Sequence, residues 1–320
     1  MKDSLVCYSV GALLYCPANN KSVVDSIINE KFGEKYSLAL CLEDTIKDEY
    51  VNEAEDILVN LIAEIYTASK SKDFYMPMIF VRVRNPQQIT NLTERFGESR
   101  CIITGYVLPK FDLQSADGFI SAILEINNQY DKTFYMMPIL ESNTVINLLD
   151  RYNNLYKIKE KLDKVEEFVL NVRVGGNDLC HNFGFRRSSY ETIHNIRPIG
   201  NLLADILTVF CMDYVVSGPV WEYYNGDNWY EGLINEIKAD KLCGFVGKTV
   251  IHPNQIKAIN EVYKVNRKDY EDANAIINWD KSSHSLVLGS TEKERMNEYK
   301  THYNWAYKIL MLAQAYGVED

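Results

Sequence analysis

The strongest constraint on the fold is a rhythm of eight short apolar runs, most of them closing on a charged residue, a proline or a glycine. They occupy residues 12–16, 38–42, 78–84, 105–108, 134–140, 168–174, 214–216 and 244–251. Amphipathic segments, 54–65, 118–127 and 199–210 among them, lie between. Runs apolar on both faces read as buried parallel strands. Strand–helix alternation of this kind calls for right-handed crossovers. Eight such units in about 250 residues make the count of a (β/α)8 TIM barrel. An open doubly wound sheet is the alternative.

The sixth run anchors the reading. Phe168-Val169-Leu170-Asn171-Val172-Arg173-Val174 is halted by Gly175-Gly176, and Asn177-Asp178 follows at once. Taken alone, Gly-Gly-Asn-Asp is a turn signal. In a barrel, however, residues just past the C-terminal strand ends converge on one mouth. Those ends supply Glu43, Asp44, Arg82, Lys110, Glu141, Asp178, Ser217 and His252.

Each has a plain structural alternative. Glu141-Ser142-Asn143-Thr144 is a good helix start, and Glu43-Asp44 could favour the positive end of the next helix. Arg82 interrupts the apolar stretch 79–83, and a buried arginine needs an anion, from the protein or from a substrate. Lys110 suits either a Schiff base or a structural charge. His252 before Pro253 reads as a structural histidine rather than a base.

Glu141 and Asp178 lie on neighbouring strands, so their carboxylates can share one cation. Two carboxylates with water in the remaining positions suit Mg2+. No paired His or Cys spacing supports zinc, and His181, His194, His252, His284 and His302 are dispersed. A net charge of −10 argues against a nucleic-acid face or an anionic membrane surface. No apolar run approaches the roughly 20 residues of a membrane span. Seven cysteines without a CxxC, most within apolar runs, read as reduced core residues of a cytoplasmic protein.

The pattern changes after Gln255. A barrel over 1–255 is followed by a helical lobe over 256–320, with a helix at 255–263, a polar stretch holding Leu286-Val287-Leu288, and a long helix over 292–316. This lobe packs on the barrel or reaches a neighbouring subunit.

The strand ends, taken together, resemble the citrate lyase β-subunit family within the HpcH/HpaI aldolases. The matching motifs are LCLEDTIKDE around residues 42–44, FVRVRN at 80–85, GYVLPK at 105–110, MPILES at 137–142, VRVGGNDL at 172–179 and GKTVIHPNQI at 247–256. The resemblance implies a (β/α)8 barrel, commonly a trimer or a dimer of trimers, with one Mg2+ held by Glu141 and Asp178. It also implies a substrate-binding Arg82 and an acidic pair, Glu43-Asp44, beside the metal. Carbon–carbon bonds next to a carbonyl are then cleaved or formed through a metal-stabilised enolate, often on coenzyme A or acyl-carrier thioesters. Lys110 and Ser217 become further substrate-binding positions.

Two departures stand out. Gly11-Ala12 replace the family's Arg-Ser before the first strand, which weighs against a coenzyme A substrate. The expected C-terminal aspartate is absent from RMNEYKTH, where Glu298 is the nearest replacement. RRSSYETIHNI, SGPVWEYY and RMNEYKTHYNWAYKIL resemble a divergent subgroup found with bacterial stress and tellurite-resistance clusters. Arg186, Arg187, Trp221, Tyr223 and Tyr224 are accordingly candidates for a different pocket, or for core and subunit packing. The reading is a Mg2+-dependent lyase or aldolase on a small 2-keto or hydroxy acid. The alternatives are a malate synthase or thioesterase-type acyl-CoA enzyme, and a catalytically idle barrel acting as sensor or assembly partner.

Overall fold

Eight parallel strands are hydrogen-bonded side by side in the computed structural model, which describes residues 4–280 and 284–319. They are β1 (Ala12–Pro17), β2 (Tyr36–Cys41), β3 (Met78–Arg82), β4 (Ile103–Leu108), β5 (Tyr135–Leu140), β6 (Val172–Val174), β7 (Val216–Ser217) and β8 (Lys248–Val250). β1 pairs with both β2 and β8. The ring closes where Gly218, just past β7, bridges Lys248, with the Gly218 N–H donating to the Gly247 carbonyl at 3.0 Å. The open sheet is thereby excluded.

The helices are α1 (Leu5–Tyr8), α2 (Ser22–Ile28), α3 (Val51–Ser69), α4 (Pro86–Arg95), α5 (Ala116–Gln129), α6 (Arg151–Asp163), α7 (Gly176–Phe183), α8 (Arg197–Phe210), α9 (Trp229–Cys243), α10 (Ile256–Tyr263), α11 (Arg267–Ile277) and α12 (Tyr299–Tyr316). Their apolar stripes cover the outer face of the sheet. In α3, Ala54, Leu58, Leu61, Ile62 and Ile65 recur at helical spacing and are all buried. Each Leu or Ile of this kind stabilises the fold by roughly 2 kcal/mol. Gly105 is forced by close packing, since a Cβ there would stand 2.0 Å from the Tyr135 carbonyl oxygen.

Three expectations need correction. Residues 166–168 form a short 3-10 turn and only Val172–Val174 pair fully, so the sixth strand is shorter than its apolar run. Gly-Gly-Asn-Asp is not a bare turn, because α7 begins at Gly176 and carries Asp178 in its first turn. The long helix of the tail starts only at Tyr299; β10 (Met296–Glu298) before it pairs with β9 (Val287–Gly289), which contains most of the Leu-Val-Leu island.

The tail seals the barrel at the end away from the mouth. Tyr316 of α12 stacks on Tyr263 of α10 at 5.1 Å and touches Gly11, while the Tyr263 hydroxyl donates to the Gly247 carbonyl. A buried ionic cluster ties α9 to β8. Lys248 Nζ lies 2.9 Å from Glu236 and 2.6 Å from Asp240, Arg187 pairs with Glu236, and His194 Nε2 meets Asp240 at 2.7 Å. Burial of Asp240 favours its neutral form, but Lys248 and His194 outweigh it and hold the carboxyl low. Four of the seven free cysteines are buried; Cys101, Cys211 and Cys243 are exposed, contrary to an all-core reading. No helix among the described residues is long and apolar enough to cross a membrane.

Candidate active site

The C-terminal ends of β2 to β6 bring a charged cluster to one wall of the mouth. Arg82, the last residue of β3, is only 6% exposed. Its Nη2 lies 2.7 Å from Glu43, 3.0 Å from Asp44 and 3.3 Å from Glu141. Burial of the guanidinium works against its charge, but Tyr15 and these carboxylates prevail and its pKa rises. The loop bearing Glu43 and Asp44 is itself pinned by Arg84, whose guanidinium donates to the carbonyls of Leu42, Glu43 and Ile46. An arginine two residues beyond the first therefore fixes the acids that the first one binds.

Lys110 has a left-handed backbone, φ +48°, an uncommon conformation for a residue with a Cβ. This turn aims its N–H at Glu141 Oε1, 2.9 Å away, while its ammonium reaches Glu43 Oε1 at 2.6 Å. Burial weakens the charged form, but Glu43 and Asp44 more than offset it, so the amine stays protonated. Lys110 is a clamp on carboxylates and not a free amine for imine chemistry.

Glu141 is 4% exposed. Burial, opposed by Arg82 and reinforced by the Asp178 charge, pushes its carboxyl up to about 7. Gly175 makes room for it: a Cβ at that position would stand 1.9 Å from Glu141 Oε2. Glu43 is also raised, chiefly by burial, with Asp44 adding to the effect. For Asp44, burial is outweighed by its hydrogen bond with Glu43 and by Arg82, so its carboxyl is lowered. Of this adjacent pair, Glu43 holds the proton more tightly.

A cavity of about 280 Å³ opens beside the cluster. Asp44, Arg82, Glu141 and Asp178 line it together with Tyr15, Arg173 and Thr249, and Val220 and Ile251 add apolar surface. Glu43 and Lys110 stand behind the wall rather than in it. Ser217 does not line the cavity either; it is 1% exposed, next to Arg173 in the strand register. Arg186 does not line the cavity; its side chain is 77% exposed and 3.5 Å from Glu222. Arg187 is committed to Glu236 and to the face of buried Trp221, 5.0 Å from the ring centre, which makes this region packing. His252 accepts from the Asn254 N–H and stacks on Tyr224, a structural role.

Gly11 has φ +60° at the start of β1, and its carbonyl accepts from the Lys248 N–H. It sits at the sealed end of the barrel. The Glu298 carboxylate accepts from Thr301 and does not line this cavity. Tyr15, Thr249 and Arg173 were not singled out in the sequence. For Arg173 the signal was present, since it interrupts an apolar strand as Arg82 does. A larger groove of about 820 Å³ lies outside the barrel between α2 and α3 and gathers no comparable set of charges.

Solved structures with this architecture include CitE from Mycobacterium tuberculosis in complex with magnesium, acetoacetate and coenzyme A. It is 17% identical, with a TM-score of 0.61 over 96% of this chain and 99% of that one. A citrate lyase from Burkholderia xenovorans LB400 gives a TM-score of 0.70 at 12% identity, over 97% of this chain and 93% of its own. The citrate lyase β subunit of M. tuberculosis complexed with oxaloacetate and magnesium gives 0.52 at 17% identity, over 81% and 99%. At these identities the likeness establishes the fold. No curated protein matches the sequence. The family model of the C-C bond lyases of the TIM-barrel fold matches residues 4–318, and the chain belongs to that family of carbon–carbon lyases.

Proposed function

We propose that the protein is a Mg2+-dependent lyase or aldolase that cleaves or forms a carbon–carbon bond in a small 2-keto or hydroxy acid. The observation that supports this reading is that Glu141, Asp178 and Arg82 line one cavity. The donors fit the ion. Glu141 and Asp178 are hard oxygen donors, and since no group of three or more His, Cys, Asp and Glu that could hold a metal occurs among the described residues, water and substrate would have to complete an octahedral shell. A buried carboxyl held near 7 by desolvation and a like charge is one that a divalent cation would relieve. Related structures hold magnesium together with oxaloacetate or with pyruvate, which supports the same chemistry here.

Glu141 and Asp178 would hold Mg2+, which when bound would supply Lewis-acid stabilisation of negative charge on the ketone oxygen of a 2-keto acid. Arg82 keeps Glu43, Asp44 and Glu141 in fixed positions and supplies positive charge at the wall. Asp44 faces the cavity beside Arg82, and its lowered carboxyl is the member of the acidic pair placed to accept a proton from a bound acid. The small cavity favours a compact acid. An oligomer belongs to the same reading, because Leu148, Leu149, Tyr152 and Tyr156 present exposed apolar surface at the start of α6.

The test is release of pyruvate or glyoxylate from a panel of keto-acid aldols, with Mg2+ and with EDTA, alongside binding of coenzyme A thioesters. Mg2+-dependent release is expected. Thioester binding with turnover would transfer the assignment to the acyl-CoA reading. Keto-acid binding with Mg2+ but without turnover of any panel member would leave an idle barrel.

A further inference from the structure

Arg173 is the one buried arginine among the described residues that forms no ion pair with a carboxylate. Arg82 has three, Arg151 pairs with Asp205 at 2.8 Å, and Arg187 pairs with Glu236 at 3.0 Å. Arg173 is 1% exposed, and its hydrogen bonds go to neutral oxygens: Thr249 Oγ1 at 2.7 Å and Asn171 Oδ1 at 3.4 Å. Its Nε has no partner. Burial pushes its pKa down, with the Tyr15 phenol beside it pulling the other way. A guanidinium does not give up its proton at ordinary pH, so the charge persists. Holding it unpaired costs several kcal/mol.

The surroundings are unsatisfied as well. Asn171 Nδ2 and Ser217 Oγ, on the same strands or next to them in register, are buried without hydrogen-bond partners. Arg173 lines the same cavity as Asp44, Arg82, Glu141 and Asp178, so the cavity holds this unpaired guanidinium as well as the carboxylates. An anion entering this cavity is repelled by the carboxylates and attracted by the guanidinium.

We infer that Arg173 is the pocket's anion receptor, binding an acidic group of the ligand other than the one beside Glu141 and Asp178, so that 2-keto diacids are selected over 2-keto monoacids. The orientation rests on the proposed function; the anion site itself does not.

The test compares oxaloacetate with 2-oxobutyrate and 2-oxoglutarate with 2-oxovalerate, each pair differing in a terminal carboxylate. Dissociation constants are measured with Mg2+ for the wild-type protein, Arg173→Met and Arg173→Lys. Wild type should prefer the diacids by about 30-fold, the worth of a charged hydrogen-bonded pair. Arg173→Met should bring the preference to within about threefold with Mg2+ affinity unchanged, and Arg173→Lys should keep part of it. A wild type without preference, or a folded Arg173→Met that retains it, overturns the inference. Should Arg173→Met fail to fold, the lysine variant decides: preference undiminished from wild type refutes, and a reduced one supports. A metal-free arm with malonate and succinate separates the two readings. Their binding to wild type and not to the Arg173 variants supports the anion site even if Mg2+ proves irrelevant, whereas Mg2+-dependent keto-acid binding that ignores Arg173 overturns only the anion site.

Discussion

Replacing Glu141 by glutamine removes the charge that the fold holds at greatest cost. Without metal, its carboxyl rises from 4.5 to about 7. At about 1.4 kcal/mol per pH unit, that rise corresponds to roughly 3 kcal/mol. The folded protein binds this proton more tightly than the unfolded chain does. The resulting stability is therefore fully present below pH 4.5 and is lost as pH climbs through about 7. Glutamine keeps an oxygen for the Lys110 N–H, and Arg82 keeps Glu43 and Asp44. In EDTA at pH 8, Glu141→Gln should thus be more stable than wild type by up to roughly 3 kcal/mol in urea unfolding, and the gap should close by pH 5. Mg2+ should raise the melting temperature of wild type at pH 8 and leave the variant unmoved. A variant whose stability falls between pH 5 and 8 as steeply as wild type, or which responds equally to Mg2+, refutes the reasoning.

Gly175→Ala needs no change in a backbone at φ −91°, but its Cβ falls 1.9 Å from Glu141 Oε2. It should cost about 1–3 kcal/mol in denaturant unfolding and lose the Mg2+-induced thermal shift while staying folded. Arg82→Lys keeps a charge but not a planar group able to meet several carboxylates; substrate affinity should fall by roughly tenfold or more in titration, with Mg2+ binding retained. Lys248→Met leaves Glu236 and Asp240 short of their shared cation in a fully buried setting and should cost about 3–5 kcal/mol in thermal or urea unfolding.

The fold was legible because barrel strands are buried on both faces, which turns them into apolar runs such as 38–42. The carboxylates and Arg82 were legible because polar residues at consecutive strand ends have only one place to meet. What remained hidden depends on geometry that no pattern encodes. Lys110 contributes through a left-handed backbone turn, and Arg84 through carbonyls of a neighbouring loop. Tyr15 and Thr249 look like ordinary strand residues until the barrel closes around them. Arg186 is not among the residues lining the cavity: a loop arginine is drawn to solvent unless something buries it, and Glu222 alone does not.

Charge bookkeeping at the cavity wall leads to a sharper test. Glu43, Asp44, Glu141 and Asp178 contribute four negative charges when ionised, and Arg82, Lys110 and the Arg173 guanidinium return three positive ones. The negative excess that remains is one a divalent ion would offset. Without that ion the wall holds protons instead, and Glu141, at about 7, is half protonated near neutrality. Ion binding requires the carboxylate, so the proton must leave. Calorimetric titration of Mg2+ at pH 7 in buffers of different ionisation enthalpy should therefore register release of about half a proton per ion, shrinking towards zero by pH 8.5. Release at pH 7 should disappear in Glu141→Gln if any residual ion binding survives. Binding to wild type with no proton released at pH 7 would mean that the ion is held somewhere other than at Glu141, and the coupling between the buried carboxyl and the metal would fall with it.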